Sequence, residues 1–375
     1  MSVNMQPSEE SDSSQEDIAS FAKEVVIDSR IPEVCRGFDA PFYQAGLAGY
    51  SDGAMRLIAR MHGSPFCVTE ALLDRTLING GKGRRKEDPD ILAEEAASGD
   101  LEGNIVASVD DHPIAGQIIG TNPEEMASGA SILSEMGYDM IDVNLACPVK
   151  KVRRRNRGGH FLTSPKEACA ILTAVRDAVP EVIPTTLKLR RGWDDSKESE
   201  QNFFSIFDYA YEVGFSWATV HGRTVEQRYQ GPSKWSFLAE LVEKRPDRII
   251  FGSGDIWTAA DIFRMMQQTG VHGVSVARGC IGNPWIFKQA RELMAGNEPK
   301  PPTIAEQREA LLNHIDLCVC LHGEKTASRL MRKFGIQFAK HHHNPVEMKQ
   351  QFIQVESMAQ WKAVIEQFYP SCSSF

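Results

Sequence analysis

The most chemically suggestive stretch of the chain surrounds a single thiol. In MIDVNLACPVKKVRRRN, residues 140–156, a hydrophobic run ends in Asn144, and Cys147 follows three residues later, against a proline and a dense basic block. A thiol has a reference pKa of about 8.5, so it is mostly protonated near neutral pH and still acidic enough to donate a proton. Neighbouring lysines and arginines favour the thiolate instead. The segment therefore raises the question of what a single thiol does beside so much positive charge.

The elements that must position this thiol alternate between short apolar runs and longer amphipathic segments. Eight runs are typical of strands, at residues 42–47, 65–72, 114–120, 140–146, 185–190, 217–222, 248–254 and 273–279. Between them, Asn122 and Ser164 each precede a proline, the pattern of an N-cap before a first helical turn. Eight strands each followed by a helix predict an α/β fold, a (β/α)8 TIM barrel. A doubly wound sheet is the alternative, but the first strand is not followed by the GxGxxG turn that it requires.

The sequences on either side of the barrel differ from it. Residues 1–34 begin with a stretch rich in Ser, Glu and Asp, which is typical of a disordered acidic tail and unlike a signal peptide. After a Pro-rich linker at 296–303 only helical periodicity remains, so an all-helical domain is expected over 304–370. The catalytic barrel is therefore expected over 35–296.

Composition excludes several classes of protein. The 375 residues contain no apolar run of about 18, so we expect no membrane span and a cytoplasmic protein. The eight cysteines form no CxxC pair, which argues against a zinc ribbon or a disulfide framework, and three adjacent histidines at 341–343 cannot all face one metal ion. The net charge of -9 argues against indiscriminate nucleic-acid binding, although basic clusters at 82–86 and 150–157 provide local basic surface.

In such a barrel the reactive groups belong at the C-terminal ends of the strands. Nearly every strand delivers polar or small residues there, namely the turn at 45–49, Glu70, Gln117, Asn144 with Cys147, Lys188 with Arg190, His221 with Arg223, the segment 252–255 and the segment 277–279. The last two resemble the turns that bind phosphate through backbone N–H groups, and Arg278 would add a charge-assisted contact. Either turn alone is explained equally well by tight chain reversal. Together with Lys188 across the barrel, they predict a site for a phosphorylated cofactor.

Several of these stretches together resemble the tRNA-dihydrouridine synthases, a family of FMN-dependent barrels with a C-terminal helical domain. The resemblance lies in AGLAGYSDGAMR (45–56), GQIIG (116–120), IDVNLACPVKKV (141–152), LKLRRGWD (187–194), TVHGRTVEQRYQGPSKW (219–235), GSGDI (252–256), ARGCIGNPWIF (277–287) and ASRLMRKF (327–334). Asn-x-x-Cys-Pro combined with His-Gly-Arg-Thr is more specific than either motif alone. The resemblance implies reduction of a tRNA uridine, with NADPH as the reductant, hydride delivered from FMN to C6, and a proton from Cys147 to C5.

The resemblance also implies roles for the other residues at the mouth. Cofactor-binding residues would be Gly46, Leu47 and Ala48 along the isoalloxazine, Gln117 at its polar edge, Lys188 near N1 and O2, and His221, Ser253, Gly254, Asp255, Ala277 and Arg278 around the ribityl phosphate. Substrate-binding residues would be Asn144, Lys150, Lys151, Arg153, Arg154, Arg190, Arg223, Arg332 and Lys333. We expect the basic side chains to bind RNA phosphates, which would leave the Cys147 thiol protonated. The target base would leave its stack, and the chain would act as a monomer on tRNA.

Four positions depart from the family's usual pattern. Gly46-Leu47 stands where Pro-Met is usual, and Ser253 where asparagine is usual, so individual FMN contacts are expected to differ. Ala146 replaces a common glycine before the cysteine and adds a methyl group close to the nucleobase pocket.

Two other functions remain open at the level of sequence. One is a flavin-dependent reductase of a free pyrimidine, similar to dihydroorotate dehydrogenase, although a small substrate needs neither a basic loop nor a helical domain. The other is an RNA-binding relative that has lost catalysis, which the presence of Cys147, Lys188 and His221 disfavours.

Overall fold

The structure is a computed structural model that describes residues 15–79 and 111–370. Within these residues the sheet has nine strands, β1 (Phe42–Gln44), β2 (Cys67–Val68), β3 (Leu72–Leu73), β4 (Ile114–Ile119), β5 (Met140–Leu145), β6 (Thr185–Arg190), β7 (Trp217–His221), β8 (Ile250–Ser253) and β9 (Gly273–Val276). Neighbouring strands are parallel, and β9 pairs with β1, so the sheet closes on itself. The predicted (β/α)8 barrel is confirmed, with β2 and β3 sharing one barrel position.

That shared position explains why nine strands form an eight-membered barrel. Both β2 and β3 pair with β4, with Cys67 opposite Ile114 and Leu72 opposite Ile118. Between them the chain leaves the ladder, and the Thr69 hydroxyl accepts a 2.9 Å hydrogen bond from the backbone N–H of Gln117. The single strand predicted over 65–72 is therefore interrupted, because a side chain there satisfies a backbone group of the neighbouring strand.

Eleven α-helices of the described residues accompany the barrel strands, and the first two of them precede β1. They are α1 (Gln15–Glu24), α2 (Arg30–Val34), α3 (Gly53–Met61), α4 (Asp74–Ile78), α5 (Pro123–Glu135), α6 (Lys150–Arg153), α7 (Pro165–Ala178), α8 (Lys197–Glu212), α9 (Trp235–Lys244), α10 (Ala259–Thr269) and α11 (Trp285–Met294). Asn122 caps α5, since its side chain accepts hydrogen bonds from the backbone N–H groups of Glu124 and Glu125. Ser164 occupies the same position before α7, but its side chain makes no capping hydrogen bond.

The start of the described chain differs from the predicted tail. Residues 15–34, expected to be disordered together with residues 1–14, contain α1 and α2. Ile18 and Ala22 lie four residues apart on one face of α1 and are buried with side chains of α10 and α11. Together with Phe21, which packs against the same core, and the buried Ile31 of α2, they anchor this segment.

Three helices follow the barrel, α12 (Ile304–Phe338), α13 (Pro345–Gln354) and α14 (Met358–Phe368), as the predicted helical C-terminal region requires. Thr303 and Glu306 form a capping box at the start of α12, and Gly323 bends this helix with a φ of 71°. The bend lies next to a contact with the barrel, where Nε2 of His322 is 2.9 Å from the Asp52 carboxylate. The Tyr50 ring also packs edge-on against Phe334, so α12 touches the loop that follows β1.

No helix in the described ranges is long and apolar enough to cross a membrane. Among the same residues, no group of three His, Cys, Asp or Glu side chains is arranged to hold a metal ion.

Candidate active site at the barrel mouth

The ladder register brings the predicted polar residues to one end of the barrel. Asn144 on β5 lies opposite Lys188 on β6, and Arg190 lies opposite His221 on β7. His221 in turn lies opposite Ser253 on β8. Residues from four consecutive strands thus form one continuous surface, because parallel strands in register end at the same edge.

A chain of hydrogen bonds leads from the barrel interior to the cysteine. The buried Asp142 carboxylate accepts from the Gln117 amide nitrogen at 2.8 Å and from the Thr186 hydroxyl at 2.7 Å. The Gln117 amide oxygen accepts from Asn144 Nδ2 at 2.7 Å. Asn144 Oδ1 then accepts from the backbone N–H groups of Ala146 and Cys147, at 3.0 and 3.1 Å. The backbone that carries Cys147 is therefore fixed by side chains from three neighbouring strands.

Cys147 is half-buried and is also held from its other side by two glycines. Gly159 donates a backbone hydrogen bond to the Cys147 carbonyl at 3.1 Å. Gly158 has a φ of +57°, and a Cβ atom there would lie only 2.8 Å from the Cβ of Cys147. Sequence reasoning missed this pair, although two glycines directly after a run of basic residues were the available signal.

Arg190 supports the same turn. Its Nε donates to the Ala146 carbonyl at 3.0 Å, and its Nη1 donates to the carbonyls of Thr224 and Arg228. The side chain is buried. It thereby joins the turn that carries Cys147 to the loop after β7.

Lys188 places a buried ammonium group beside this network. Its Nζ has no hydrogen-bond partner among the described residues. Burial lowers the pKa of Lys188 to about 7, with the negative charge of Asp142 opposing this effect and the positive charge of Arg190 adding to it. Near neutral pH the side chain is therefore poised between its two forms, and an anionic group placed next to it would favour the ammonium.

The contacts of His221 and Arg223 follow from their burial at the end of β7 and in the loop after it. The pKa of His221 lies well below its ordinary value, first because the ring is buried and then because Arg190 and other cations surround it. The ring is therefore neutral at pH 7, and its Nδ1 accepts from the backbone N–H of Arg223 at 3.1 Å. Arg223, predicted on the substrate side, is fully buried and donates to both carboxylate oxygens of Asp255 at 2.7 Å. Its observed contacts hold the wall of the barrel together.

A cavity opens at the ends of β8 and β9, where the phosphate turns were predicted. It is lined by His221, Ser253, Gly254, Asp255, Ile256, Trp257, Ser275, Ala277 and Arg278. Gly254 has a φ of +113°, and a Cβ atom there would lie 2.4 Å from the Ser233 hydroxyl. The helix that follows starts only at Ala259, where Thr258 and Asp261 form a capping box. The N-terminus of α10 is thus capped by its own side chains.

The guanidinium of Arg278 is held at this cavity between two aromatic rings. It lies 5.0 Å from the centre of the Tyr229 ring and 4.9 Å from that of Trp257. Both aromatic side chains are substantially exposed, and sequence reasoning had selected neither. Cation–π contacts of this kind restrict the arginine without neutralising its charge.

The loop after β1 approaches the mouth closely, and Gly46 makes this possible. A Cβ atom at Gly46 would lie 2.3 Å from the carbonyl oxygen of Thr69 and 3.4 Å from the Gln117 amide oxygen. Gly49 donates a 2.8 Å hydrogen bond to the Glu70 carboxylate. Leu47, between them, is half-buried and Ala48 is exposed. The interrupted second strand therefore excludes any side chain at position 46.

The basic residues lie on two separate elements. In and after α6, Lys150, Arg154 and Arg155 are exposed, while the Arg153 guanidinium lies 5.0 Å from the centre of the Trp193 ring. The Lys151 side chain and the basic segment at 82–86 lie outside the described part of the structure.

On α12, Arg332 is half-buried, and the Lys333 ammonium lies 4.8 Å from the centre of the Tyr50 ring. Burial lowers the pKa of Lys333, while Asp52 and Glu70 favour its charged form. Lys333 therefore lies where the helical region meets the loop after β1.

Comparison with known proteins shows which family the chain resembles. Residues 43–372 match the dihydrouridine synthase (Dus) family. A probable tRNA-dihydrouridine synthase of Treponema pallidum is 29% identical over 333 residues, which cover 87% of this chain and 92% of that protein. The tRNA-dihydrouridine synthase B of Shewanella oneidensis is 29% identical over 326 residues, which cover 87% of this chain and 94% of that protein.

The structure of histamine dehydrogenase from Rhizobium sp. 4-9 is similar in fold alone, with a TM-score of 0.53 and 13% identity over 80% of this chain and 51% of that one. The family match, by contrast, extends through the barrel and the helical region. The chain therefore belongs to the dihydrouridine synthase family.

Proposed function

We propose that this protein reduces uridine in tRNA to 5,6-dihydrouridine, with FMN as its cofactor, NADPH as the reductant and Cys147 as the proton donor to C5. The observation that carries the proposal is the joint placement of Cys147, Asn144 and Lys188 at the ends of β5 and β6. Asn144 holds the backbone N–H of Cys147, and the Lys188 ammonium is buried beside the same network. Family membership makes uridine in tRNA the substrate that we test first.

The residues present fit a phosphorylated flavin. A buried Lys188 Nζ without a hydrogen-bond partner among the described residues suits an acceptor with anionic character. Arg278, at the cavity between β8 and β9, suits a phosphate. Gly46 and Gly254 allow the chain to pack closely around this space, since a Cβ atom would meet the Thr69 carbonyl at the first position and the Ser233 hydroxyl at the second. When bound, FMN would supply the hydride for C6 of the uracil ring.

In this proposal each residue at the mouth has a task that follows from its contacts. Lys188 stabilises negative charge in a site with little water, where a fixed cation acts more strongly than in solvent. Gln117 retains one amide N–H beyond the one that it donates to Asp142, and we assign that group to the polar edge of the cofactor. Neutral His221 contributes to the cavity in which Ser253, Ala277 and Arg278 would hold the phosphate.

Cys147 then protonates C5 as a general acid. Its backbone is fixed by Asn144 and by Gly159, so the direction in which its side chain leaves the main chain is set before substrate binds. The uridine would have to leave its stack to reach this position. Asn144 and Arg190 border that space, and Arg190 would act by holding the turn at Ala146 in place.

The basic residues provide the contacts to RNA in this proposal. Lys150 is the first residue of α6 and Arg154 directly follows that helix, and both are exposed. Because α6 begins three residues after Cys147 in the chain, phosphates bound to these side chains would flank the reacting base. We propose the helical region, with Arg332 and Lys333 on α12, as a second wall for the tRNA.

The experiment starts from the visible spectrum of the purified full-length protein. Anaerobic reduction with NADPH is followed by mixing with unmodified tRNA, free uridine or orotate. We expect a flavin spectrum and reoxidation by tRNA alone, slowed at least 100-fold in Cys147→Ala, roughly the contribution of one general acid. Cys169→Ala is the matched control, because Cys169 is a half-buried thiol on α7.

The other outcomes decide between the remaining functions. Reoxidation by orotate or free uridine, rather than tRNA, would replace the proposal with reduction of a free pyrimidine. A flavin that NADPH reduces but no pyrimidine reoxidises would indicate an RNA-binding relative without catalysis. A protein that binds no flavin even after FMN is added would contradict the assignment of Lys188 and Arg278.

A further inference from the structure

The Asp142 carboxylate is a buried polar group of β5 that does not line the cavity at β8 and β9. We propose that Asp142 is the positioning residue of this site: it fixes the amide of Gln117, and through Gln117 the Asn144 side chain and the backbone of Cys147. The catalytic consequence rests on the proposed function. The positioning itself is a property of the protein alone.

The geometry makes Asp142 the origin of the hydrogen-bond chain. It is buried in the middle of β5, and the ladder places Gln117 of β4 on one side and Thr186 of β6 on the other. Each carboxylate oxygen accepts from one of these neighbours, at 2.8 and 2.7 Å. Both oxygens of Asp142 are therefore satisfied within one layer of the barrel, and its hydrogen-bond connection to the mouth runs through Gln117.

The direction of every bond in the chain follows from the chemistry of a carboxylate. An ionised carboxylate can only accept hydrogen bonds, so the NH2 group of Gln117 must face it. The Gln117 oxygen then faces Asn144, whose NH2 group must point toward it. This leaves the Asn144 oxygen for the backbone N–H groups of Ala146 and Cys147. Reversing any amide in this chain would set two donors or two acceptors against each other.

Asp142 also acts on Lys188 through its charge. It is the group that raises the pKa of Lys188, against the larger effect of burial and the smaller effect of Arg190. Burial raises the pKa of Asp142 itself, while its hydrogen bonds from Thr186 and Gln117 and the charge of Lys188 favour the ionised form. One buried acid thus influences both the proposed proton donor and the buried cation.

Two substitutions of Asp142 distinguish its effect on the orientation of the Gln117 amide from the effect of its negative charge. In Asp142→Asn, the amide oxygen can still accept from Gln117 while the amide nitrogen donates to Thr186, because a hydroxyl can donate or accept. This variant keeps the orientation of Gln117 and removes the charge. Asp142→Leu removes both.

The readouts require neither flavin nor tRNA. The first is the titration of Lys188 in full-length protein labelled with 13C-lysine, whose resonance is identified by its loss in Lys188→Arg. The second is the rate at which iodoacetamide alkylates Cys147, followed by peptide mass spectrometry, with Cys169 as the internal reference. Thermal unfolding of each variant shows whether it is folded.

We expect Asp142→Asn to lower the titration midpoint of Lys188 by about one pH unit or more, and to change the alkylation rate of Cys147 less than twofold. We expect Asp142→Leu to change that rate at least fivefold, with no change at Cys169. If Asp142→Leu does not fold, Gln117→Leu decides the same point, because it interrupts the chain between Asp142 and Asn144.

The proposal is overturned if the Lys188 midpoint in Asp142→Asn equals that of the wild type. It is also overturned if Cys147 reacts at the wild-type rate in folded Asp142→Leu or, failing that variant, in Gln117→Leu. A purely structural acid would lower the unfolding temperature and leave both readouts unmoved. Because neither readout uses cofactor or substrate, failure of the proposed function would appear only in the flavin experiment.

Discussion

The amide oxygen of Asn144 lies 3.0 and 3.1 Å from the backbone nitrogens of Ala146 and Cys147, so one side chain satisfies the turn that presents the thiol. The residue spacing Asn-x-x-Cys has a physical meaning here. The asparagine lies at the end of β5, and its oxygen reaches the N–H groups two and three residues further on.

This contact predicts a site-specific effect of Asn144→Ala. We expect the free energy of unfolding to fall by about 1–3 kcal/mol, because backbone donors near the barrel interior lose their acceptor. The alkylation rate of Cys147 should change at the same time. Asn122→Ala is the matched control, since Asn122 also accepts from two backbone N–H groups, at the start of α5. If both variants lose stability and neither changes Cys147, the turn does not depend on Asn144.

Gly158→Ala should displace the cysteine. The added methyl group would lie 2.8 Å from the Cβ of Cys147, at a residue whose φ is +57°. We expect a loss of stability beyond the roughly 1–2 kcal/mol that an ordinary residue costs in left-handed backbone, together with an altered alkylation rate of Cys147. Gly270→Ala is the control, because Gly270 has a φ of +71° and a ψ of 11°, and a methyl group there would lie 3.4 Å from a Val242 methyl group, an ordinary contact distance. Equal unfolding temperatures for the two variants would argue against close packing at Gly158.

The buried lysine predicts a pH dependence of stability in the protein without flavin. The pKa of Lys188 is lowered from 10.5 to about 7 in the folded state, so between these values the unfolded chain binds more protons than the folded one. Stability therefore rises with pH in this window, and the cost of burying the charged form is fully present below pH 7. We expect the wild type to gain stability relative to Lys188→Met between pH 7 and pH 9. If the difference in unfolding free energy between the wild type and Lys188→Met does not change between pH 7 and pH 9, the pKa of Lys188 is not lowered in the folded state.

The pair of Arg223 and Asp255 should be a structural requirement. Arg223 is fully buried, and Arg223→Met leaves the Asp255 carboxylate without its principal partner, which typically costs about 3–5 kcal/mol. Arg245→Met is the control, because Arg245 also donates to both carboxylate oxygens of an aspartate, Asp208, but nearer the surface, and its loss should cost about 1 kcal/mol or less. Chemical denaturation of both variants measures the difference. Comparable losses would mean that Arg223 is not part of the barrel wall in the way its contacts indicate.

Much of the barrel could be predicted because the strands carry a strong local signal. The strand predicted over 185–190 coincides with β6, and the one over 140–146 differs from β5 by a single residue. The break between β2 and β3 could not be predicted, since it depends on a hydrogen bond between Thr69 and the neighbouring barrel strand. Local periodicity contains no information about such a contact.

Some residues of the candidate site could likewise be predicted from the sequence, and others could not. Gln117, Asn144, Lys188 and His221 could be selected because each lies toward the end of a strand. Asp142 could not, because it lies within β5 and its importance depends on the neighbours that the ladder gives it. Arg223 belongs to a conspicuous motif, yet its partner Asp255 comes from the turn after the next strand.

The most direct test of the proposed chemistry is the amount of dihydrouridine formed in a single anaerobic turnover with NADPH and unmodified tRNA. Wild-type protein and Cys169→Ala should form it at the same rate, and Cys147→Ala at least 100-fold more slowly, roughly the contribution of one general acid. Formation at the wild-type rate in Cys147→Ala would mean that the proton reaches C5 from another group. No dihydrouridine from any variant, despite a flavin that NADPH reduces, would contradict the proposed function itself.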